Sequence, residues 1–271
     1  MTDVYAVIGN PIAHSKSPRI HAEFARQTGE DLRYEAVLAR RDGFAEAVVE
    51  FRAAGGKGLN VTVPFKLDAF ALATERTERA VQAQAVNTLK FDGASALGDN
   101  TDGAGLVADL TGRLDFALDG KRVLIMGAGG AARGVILPLL RERPASIAIA
   151  NRTVEKARAL QRQFEPFGTV TSGGYAELSG RSFDLVVNAT SAALAGELPP
   201  LPPGIFAPGA LAYDMIYGPD HSRFEAHARK DGAARIADGL GMLVAQAAES
   251  FLLWRGVRPD TAPVIDLLRG E

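Results

Sequence analysis

Short apolar runs alternate with amphipathic stretches along most of this chain. Residues 4–8 read as a strand that ends in Gly9-Asn10-Pro11. Ser17 then stands as an N-cap with Pro18 at the first helical position, opening a helix to residue 25. Strands are predicted over 34–38 and 58–63, with a helix over 43–53 between them. Runs at 86–91 and 94–98 flank Asp92-Gly93, a two-residue hairpin signal that adds an antiparallel edge. A helix follows Asp102 to about residue 110. A second alternating series starts at Lys121, with strands over 122–126, 146–150, 183–188 and 211–216. Helices are predicted over 129–140, 153–164, 222–230, 240–254 and 261–268, and a proline-rich loop over 199–208. Regular alternation of strand and helix predicts mostly parallel sheets. The expected architecture is two α/β domains with a cleft between them.

One segment inside this pattern carries more than fold. In Asn60-Val61-Thr62-Val63-Pro64-Phe65-Lys66, strand alternation puts Asn60 and Thr62 on one face. Pro64 stops the strand, and Phe65-Lys66-Leu67 begins a helix. Two hydrogen-bonding side chains and an ammonium thus meet at a strand end, where open α/β sheets bind ligands. A cation near a helix N-terminus opposes the macrodipole, so Lys66 breaks a local rule. Taken alone, the lysine is better explained as a solvated side chain after a strand.

The second series holds a nucleotide signal. Val123-Leu124-Ile125-Met126-Gly127-Ala128-Gly129-Gly130-Ala131-Ala132 follows a strand and opens a helix, the context that makes G-x-G-x-x-G/A a dinucleotide fingerprint. Gly127 permits the turn, Gly129 lets a pyrophosphate approach, and Ala132 fills the small packing position. Gly130 and Ala131 stand at the helix N-terminus, which offers N–H groups to phosphate. The next strand ends in Asn151-Arg152-Thr153, with Lys156 one turn on. An acid there would hold the ribose of NAD; two cations attract a 2′-phosphate instead, which favours NADP.

Composition narrows the classes. The 271 residues are 47% hydrophobic and 23% charged, with a net charge of -2, ordinary for a soluble enzyme and without an electrostatic reason to bind nucleic acid or membrane. There is no cysteine, which excludes disulfides, thiolate metal sites and thiol catalysis. The 4 histidines, His14, His21, His221 and His227, are not grouped as metal ligands, and His221 and His227 are expected on an exposed helix. No signal peptide or membrane span is expected, and a cytoplasmic protein is the default.

Other polar groups gather at predicted strand ends. Ser15 and Ser17 in Gly9-Asn10-Pro11-Ile12-Ala13-His14-Ser15-Lys16-Ser17-Pro18 offer hydroxyls to an anion, although Ser17 serves as readily as a plain N-cap. Asn87-Thr88 starts a strand. Asp102, in Asp99-Asn100-Thr101-Asp102-Gly103, stands at a helix start, where an N-cap is again the alternative.

These segments together resemble the shikimate dehydrogenases, in the family's order and spacing. So do Asn188-Ala189-Thr190-Ser191, Tyr213-Asp214-Met215-Ile216-Tyr217 and Asp238-Gly239-Leu240-Gly241-Met242-Leu243-Val244-Ala245-Gln246-Ala247, and the resemblance spans essentially the whole chain. It implies reversible reduction of 3-dehydroshikimate to shikimate with NADPH, in aromatic amino-acid biosynthesis. It implies a substrate and catalytic domain over 1–103, joined by C-terminal helices over 240–271, and a Rossmann-like NADP domain over 104–239. It carries Lys66 and Asp102 onto the catalytic pair and Ser15 and Ser17 onto the substrate carboxylate. Asn60, Thr62, Asn87, Asp102 and Gln246 go onto the ring hydroxyls, and Tyr217 joins the substrate residues. Gly127, Gly129, Gly130, Ala131, Asn151, Arg152, Thr153, Lys156, Thr190, Met215, Gly239 and Met242 go onto the cofactor. No metal is implied, and the assembly is expected to be a monomer or homodimer.

The chain departs from the family pattern in three places. Gln84 precedes Ala85-Val86-Asn87 where a small residue is usual, Ala192-Ala193 follows Ser191 where Ser-Gly is common, and His221-Ser222-Arg223-Phe224 replaces Thr-Pro-Phe. Other readings are a quinate/shikimate dehydrogenase of broader specificity, a folate-type dehydrogenase with a catalytic lysine, and a non-catalytic NADPH-binding sensor. Arg152 and Lys156 argue against the NAD use of the first. The paired serines before Pro18 have no place in the second. Lys66 with Asp102 is superfluous in the third.

Overall fold

A computed structural model describes residues 2–190, 197–218 and 223–270. The chain forms two compact units: Met1–Leu106 with Leu243–Glu271, and Val107–Met242.

The first unit opens with β1 (Asp3–Gly9), α1 (Ser17–Thr28), β2 (Leu32–Leu38), α2 (Phe44–Ala53) and β3 (Gly56–Val61). Then come α3 (Lys66–Leu72), β4 (Glu75–Arg76), α4 (Glu78–Ala83), β5 (Thr88–Asp92), β6 (Ser95–Asp99) and α5 (Asp102–Ala108), which crosses into the second unit. The sheet order is β2-β1-β3-β5-β6-β4, with β1 parallel to both β2 and β3. β5 runs antiparallel to β3 and to β6. The core is an unbroken apolar cluster that includes Ile8, Leu59, Phe65, Val86 and Leu89.

Several local expectations shift. Ser17 is not an N-cap: it is the first helical residue, Lys16 occupies the cap position, and no side chain caps the helix. The Ser17 N–H reaches back to Ser15 Oγ at 3.3 Å, so the hydroxyl two residues earlier does the local work. β3 ends at Val61; backbone bonds from Thr62 N–H to Ile8 O and from Asn10 N–H to Val63 O still tie the next two residues to the β1 side before the turn closed by Phe65 N–H and Thr62 O. Val63 is 66% exposed, whereas Val61 is buried. Asp92 pairs with Ser95, so the hairpin loop is Gly93-Ala94, one residue later than Asp92-Gly93 suggests. Gly93 takes the one positive φ that the loop needs, +52°. Gln84 adopts φ +51° as the left-handed C-cap of α4.

The second unit contains β7 (Arg122–Met126), α6 (Gly130–Arg141), β8 (Ser146–Ala150), α7 (Val154–Phe164), β9 (Val170–Gly173), β10 (Phe183–Asn188), β11 (Phe206–Asp214), α8 (Arg223–Lys230) and β12 (Arg235–Ala237). Their order is β12-β11-β10-β7-β8-β9, all parallel, so the sheet reverses between β7 and β10 in the doubly wound arrangement. Val123, Leu124, Ile125 and Met126 of β7 are each 0% exposed, as a strand covered on both faces requires. β11 begins well before the predicted 211, inside the proline-rich stretch, and stops at Asp214 instead of 216. The register slips between Phe183 and Leu185 opposite Pro208 and Gly209, which are exposed; a proline is tolerated in a strand at such an irregularity. β9 and β12 are too short and polar to stand out in the sequence pattern.

α9 (Leu240–Arg255) starts in the second unit and returns the chain to the first, and α10 (Ala262–Arg269) follows. His227 on α8 is half-buried, not exposed as expected. Ser191, Ala192, Ala193, His221 and Ser222 lie outside the described residues.

Candidate active site and nucleotide site

In the first unit the ends of β3, β5 and β6 converge on one polar cluster. Val86 N–H bonds Lys66 O at 2.9 Å, Val61 N–H bonds Asn87 O at 2.7 Å, and Asn87 N–H bonds Asp99 O at 3.0 Å. Backbone bonds thus hold the segments bearing Lys66, Asn87 and Asp102 side by side. Lys66 Nζ lies 2.6 Å from Asp102 Oδ2, with 32% and 14% of the two side chains exposed. Asn87 Nδ2 donates to Asp102 Oδ1 at 2.8 Å. Both carboxylate oxygens are therefore engaged by side chains. Asp102 is the first residue of α5, and Gly105 N–H bonds Thr101 O, so the cap position falls to Thr101. The plain N-cap reading of Asp102 fails on that geometry.

Gln246 Oε1 is 3.3 Å from Asn87 Nδ2 and from Thr101 Oγ1, which brings α9 into the cluster. Gly105 makes this approach possible: a Cβ there would stand 2.6 Å from the Gln246 backbone nitrogen. Asn60 is buried and accepts the Tyr34 hydroxyl on Oδ1 at 2.7 Å. Ser17, 7% exposed, lies beside Tyr34, and Ser15 is half-buried next to it. Because Ser15 Oγ accepts the Ser17 N–H, its own hydrogen remains free to donate to an anion. Thr62 is half-buried beside Gly9, where an added Cβ would meet its methyl at 2.4 Å. The loop holding Asp102 is braced from behind, since Arg79 makes a bidentate pair with Asp99 at 2.7 and 2.5 Å.

The cluster includes residues that the sequence pattern does not reveal, Tyr34, Ser250 and His21, together with Thr88 and Thr101 from the motifs around Asn87 and Asp102. One signal was present, since Gln246 and Ser250 stand one helical turn apart and so share a face of α9. His21 is fully buried and stacks on Tyr34 with ring centroids 4.1 Å apart. Neither of its ring nitrogens closes a hydrogen bond. Burial pushes its pKa down to about 3, with the Asn60 side chain pulling the other way.

The second unit assembles the glycine-rich turn. Gly127 takes φ +105°, and a Cβ there would lie 3.0 Å from Ala189 O, so a side chain is excluded by both conformation and space. Gly129 caps α6 without a side chain, and Gly129, Gly130 and Ala131 are exposed while Ala132 is buried. The first helical bond runs from Arg133 N–H to Gly129 O, leaving the N–H groups of Gly130, Ala131 and Ala132 without intrahelical acceptors. This open helix N-terminus fits a pyrophosphate.

Arg152, Thr153 and Lys156 are exposed at the end of β8 and the start of α7, and Asn151 Nδ2 bonds Thr153 O at 2.8 Å. Thr190 Oγ1 bonds Asn188 Oδ1 at 2.7 Å, and Met215 N–H bonds Asn188 O at 3.1 Å. Gly239 is required where it is, because a Cβ would stand 2.3 Å from Met215 O. Met242 is buried. Tyr217, half-buried, has its phenol pKa raised by burial.

Three family models match the chain: the shikimate dehydrogenase substrate binding domain over 7–89, shikimate / quinate 5-dehydrogenase over 110–195, and the shikimate 5′-dehydrogenase C-terminal domain over 239–269. The shikimate dehydrogenase (NADP(+)) of Nitrosospira multiformis is 64% identical over 271 residues, covering 100% of this chain and 98% of that one. That of Dechloromonas aromatica is 62% identical over 271 residues, covering 100% and 99%. The solved structure of shikimate 5-dehydrogenase from Thermus thermophilus in complex with NADP(H) and shikimate is 30% identical, with a TM-score of 0.88 over 99% of both chains. The chain belongs to the shikimate dehydrogenase family.

Proposed function

We propose that the first unit binds shikimate and 3-dehydroshikimate and carries the catalytic groups, and that the second unit holds NADP. The chain is an NADP-dependent oxidoreductase that interconverts 3-dehydroshikimate and shikimate in aromatic amino-acid biosynthesis. The observation that carries the residue assignment is the Lys66–Asp102 pair, 2.6 Å apart beside Asn87.

Bound NADPH supplies the hydride. As the ketone carbon is reduced, its oxygen gains negative charge, and the Lys66 ammonium stabilises that charge and donates the proton. In the reverse direction neutral Lys66 takes the hydroxyl proton. Asp102 holds the ammonium in place by charge and hydrogen bond, and Asn87 holds Asp102. Asn60, Thr62, Asn87 and Gln246 orient the ring hydroxyls, with Tyr217 a further substrate residue. Ser15 and Ser17 receive the carboxylate. Gly127, Gly129, Gly130 and Ala131 cradle the pyrophosphate. Asn151, Arg152, Thr153 and Lys156 receive the 2′-phosphate, while Thr190, Met215, Gly239 and Met242 complete the cofactor site.

The test is oxidation of shikimate and of quinate, each with NADP and with NAD, followed at the nicotinamide absorbance. Fast turnover of shikimate with NADP and slow turnover of the other three combinations is expected. Preference for quinate or for NAD would overturn the assignment.

A further inference from the structure

Behind the substrate-facing side chains assigned above lies a layer of hydroxyls that this reading does not use. Thr88, Thr101 and Ser250 are each 0% exposed. Their hydrogen bonds have a definite sense, because one donor in the layer is a backbone N–H. Thr101 N–H donates to Asn87 Oδ1 at 2.9 Å, so that atom is the carbonyl oxygen of the amide and not its NH₂ group. Asn87 Nδ2 therefore faces Asp102.

Thr88 Oγ1 lies 2.9 Å from the same Asn87 Oδ1. An amide oxygen only accepts, so the single hydroxyl hydrogen of Thr88 points at Asn87. What remains on Thr88 is a lone pair, and it takes a hydrogen from Asn60 Nδ2 at 3.1 Å. The other Asn60 hydrogen goes to Ser250 Oγ at 2.9 Å; the single Ser250 hydrogen is shared between Thr88 Oγ1 at 2.8 Å and Gln246 O at 3.1 Å, and with either partner Ser250 presents a lone pair to Asn60. Both hydrogens of the Asn60 amide are thus directed into the protein. Its oxygen is the pole left facing Tyr34.

We infer that Thr88 and Ser250 are positioning residues for the reaction: their hydroxyls lock the Asn60 amide in one of two near-isosteric orientations, and Thr88 adds a second hydrogen bond to the Asn87 oxygen that the Thr101 N–H orients. Asn87 then gives an N–H to Asp102, where the reversed amide would set its carbonyl against the carboxylate. Asn60 offers a ring hydroxyl an acceptor and no donor. The inference rests on the proposed roles of Lys66, Asp102, Asn60 and Asn87.

Thr88→Val keeps the side-chain volume and deletes the hydroxyl; Thr88→Ser keeps the hydroxyl and deletes a methyl. Packing and hydrogen bonding therefore predict opposite rankings. With melting temperatures above the assay temperature, Thr88→Val is expected to lower kcat for shikimate oxidation by about tenfold or more, as misplaced catalytic groups do. Thr88→Ser should stay within about threefold of wild type, and KM for NADP should move less than about twofold in both. Serine as slow as valine, or valine as fast as wild type, would overturn the inference. If Thr88→Val does not fold, Ser250→Ala decides: lowered kcat supports the inference and wild-type kcat overturns it. Lys66→Ala is measured alongside. Wild-type turnover there would bring down the catalytic reading itself, whereas a dead Lys66→Ala beside an unimpaired Thr88→Val would sink only the inference.

Discussion

Lys66 Nζ and Asp102 Oδ2 stand 2.6 Å apart although 36 positions separate them in the chain. The lysine opens α3 and the aspartate opens α5, so each sits where a strand has just given way to a helix. A cation at a helix start is locally unfavourable, and here the partner carboxylate from another helix start offsets that cost. Lys66→Ala should therefore lower kcat by about 10²–10⁴-fold, the usual contribution of a general acid, while KM for shikimate changes little. Steady-state kinetics in both directions would check this. A kcat within a few-fold of wild type would remove Lys66 from the mechanism.

Asp102→Asn separates charge from structure. The aspartate does not cap α5, and its ion pair is partly exposed, so the change should cost no more than about 1 kcal/mol of stability. The melting temperature should stay within a few degrees of wild type, roughly as such a loss implies. kcat/KM should nevertheless fall strongly, because a neutral amide cannot anchor the Lys66 ammonium. Parallel calorimetry and kinetics read the two quantities independently.

Cofactor choice should rest on Arg152 and Lys156, both exposed at the β8–α7 junction. Replacing both with glutamine should weaken NADP by about 1–3 kcal/mol per lost charge-assisted contact and leave NAD nearly unchanged. KM values for the two cofactors rising in parallel would contradict the 2′-phosphate assignment.

Gly241 should be intolerant of any side chain. A Cβ there would stand only 1.9 Å from Asp109 Oδ1. Asp109 cannot yield easily, because Arg113 holds both of its oxygens and the buried Tyr213 hydroxyl donates to Oδ2 at 2.7 Å. Gly241→Ala should destabilise by at least about 1–3 kcal/mol through overpacking. Gly129→Ala, where nothing lies within 4 Å of an added Cβ, should leave the urea midpoint nearly unchanged.

His21 should make the fold acid-sensitive. Its folded pKa is about 3 against an ordinary 6.5, so the unfolded chain binds a proton that the folded one refuses. Between those values stability falls as pH falls, by up to about 1.4 kcal/mol per pH unit; above pH 6.5 the group is neutral in both states and contributes no slope. His21→Phe should retain the aromatic stacking and flatten the stability profile between pH 4 and 6. Urea unfolding of both proteins across that range would show the difference, and identical slopes would exclude His21 as the cause.

The alternation of apolar runs placed β7, β8 and β10 to the residue, because a strand buried on both faces of a parallel sheet has to be continuously apolar. The turn at Gly127 was equally legible, since its positive φ follows from local chain geometry; its crowding by Ala189 comes from the pairing of β7 with β10. Residue types at strand ends were enough to nominate Lys66, Asn87 and Asp102. What they did was decided elsewhere. Whether Asp102 caps a helix or meets a lysine depends on which strands pair: the β5–β6 hairpin is local, but the β3–β5 ladder that brings Lys66 beside it joins residues far apart in sequence. Ser17 reads as a cap by type, yet the chain before it lets Ser15 take the bond. Thr88 and Ser250 look like ordinary strand and helix residues. Only their burial beneath Asn60, 28 and 190 positions away in the chain, makes both hydroxyls acceptors for its amide. Local conformation is written in neighbouring side chains, whereas the direction of a hydrogen bond in a buried cluster belongs to the whole set of donors and acceptors that tertiary packing brings together.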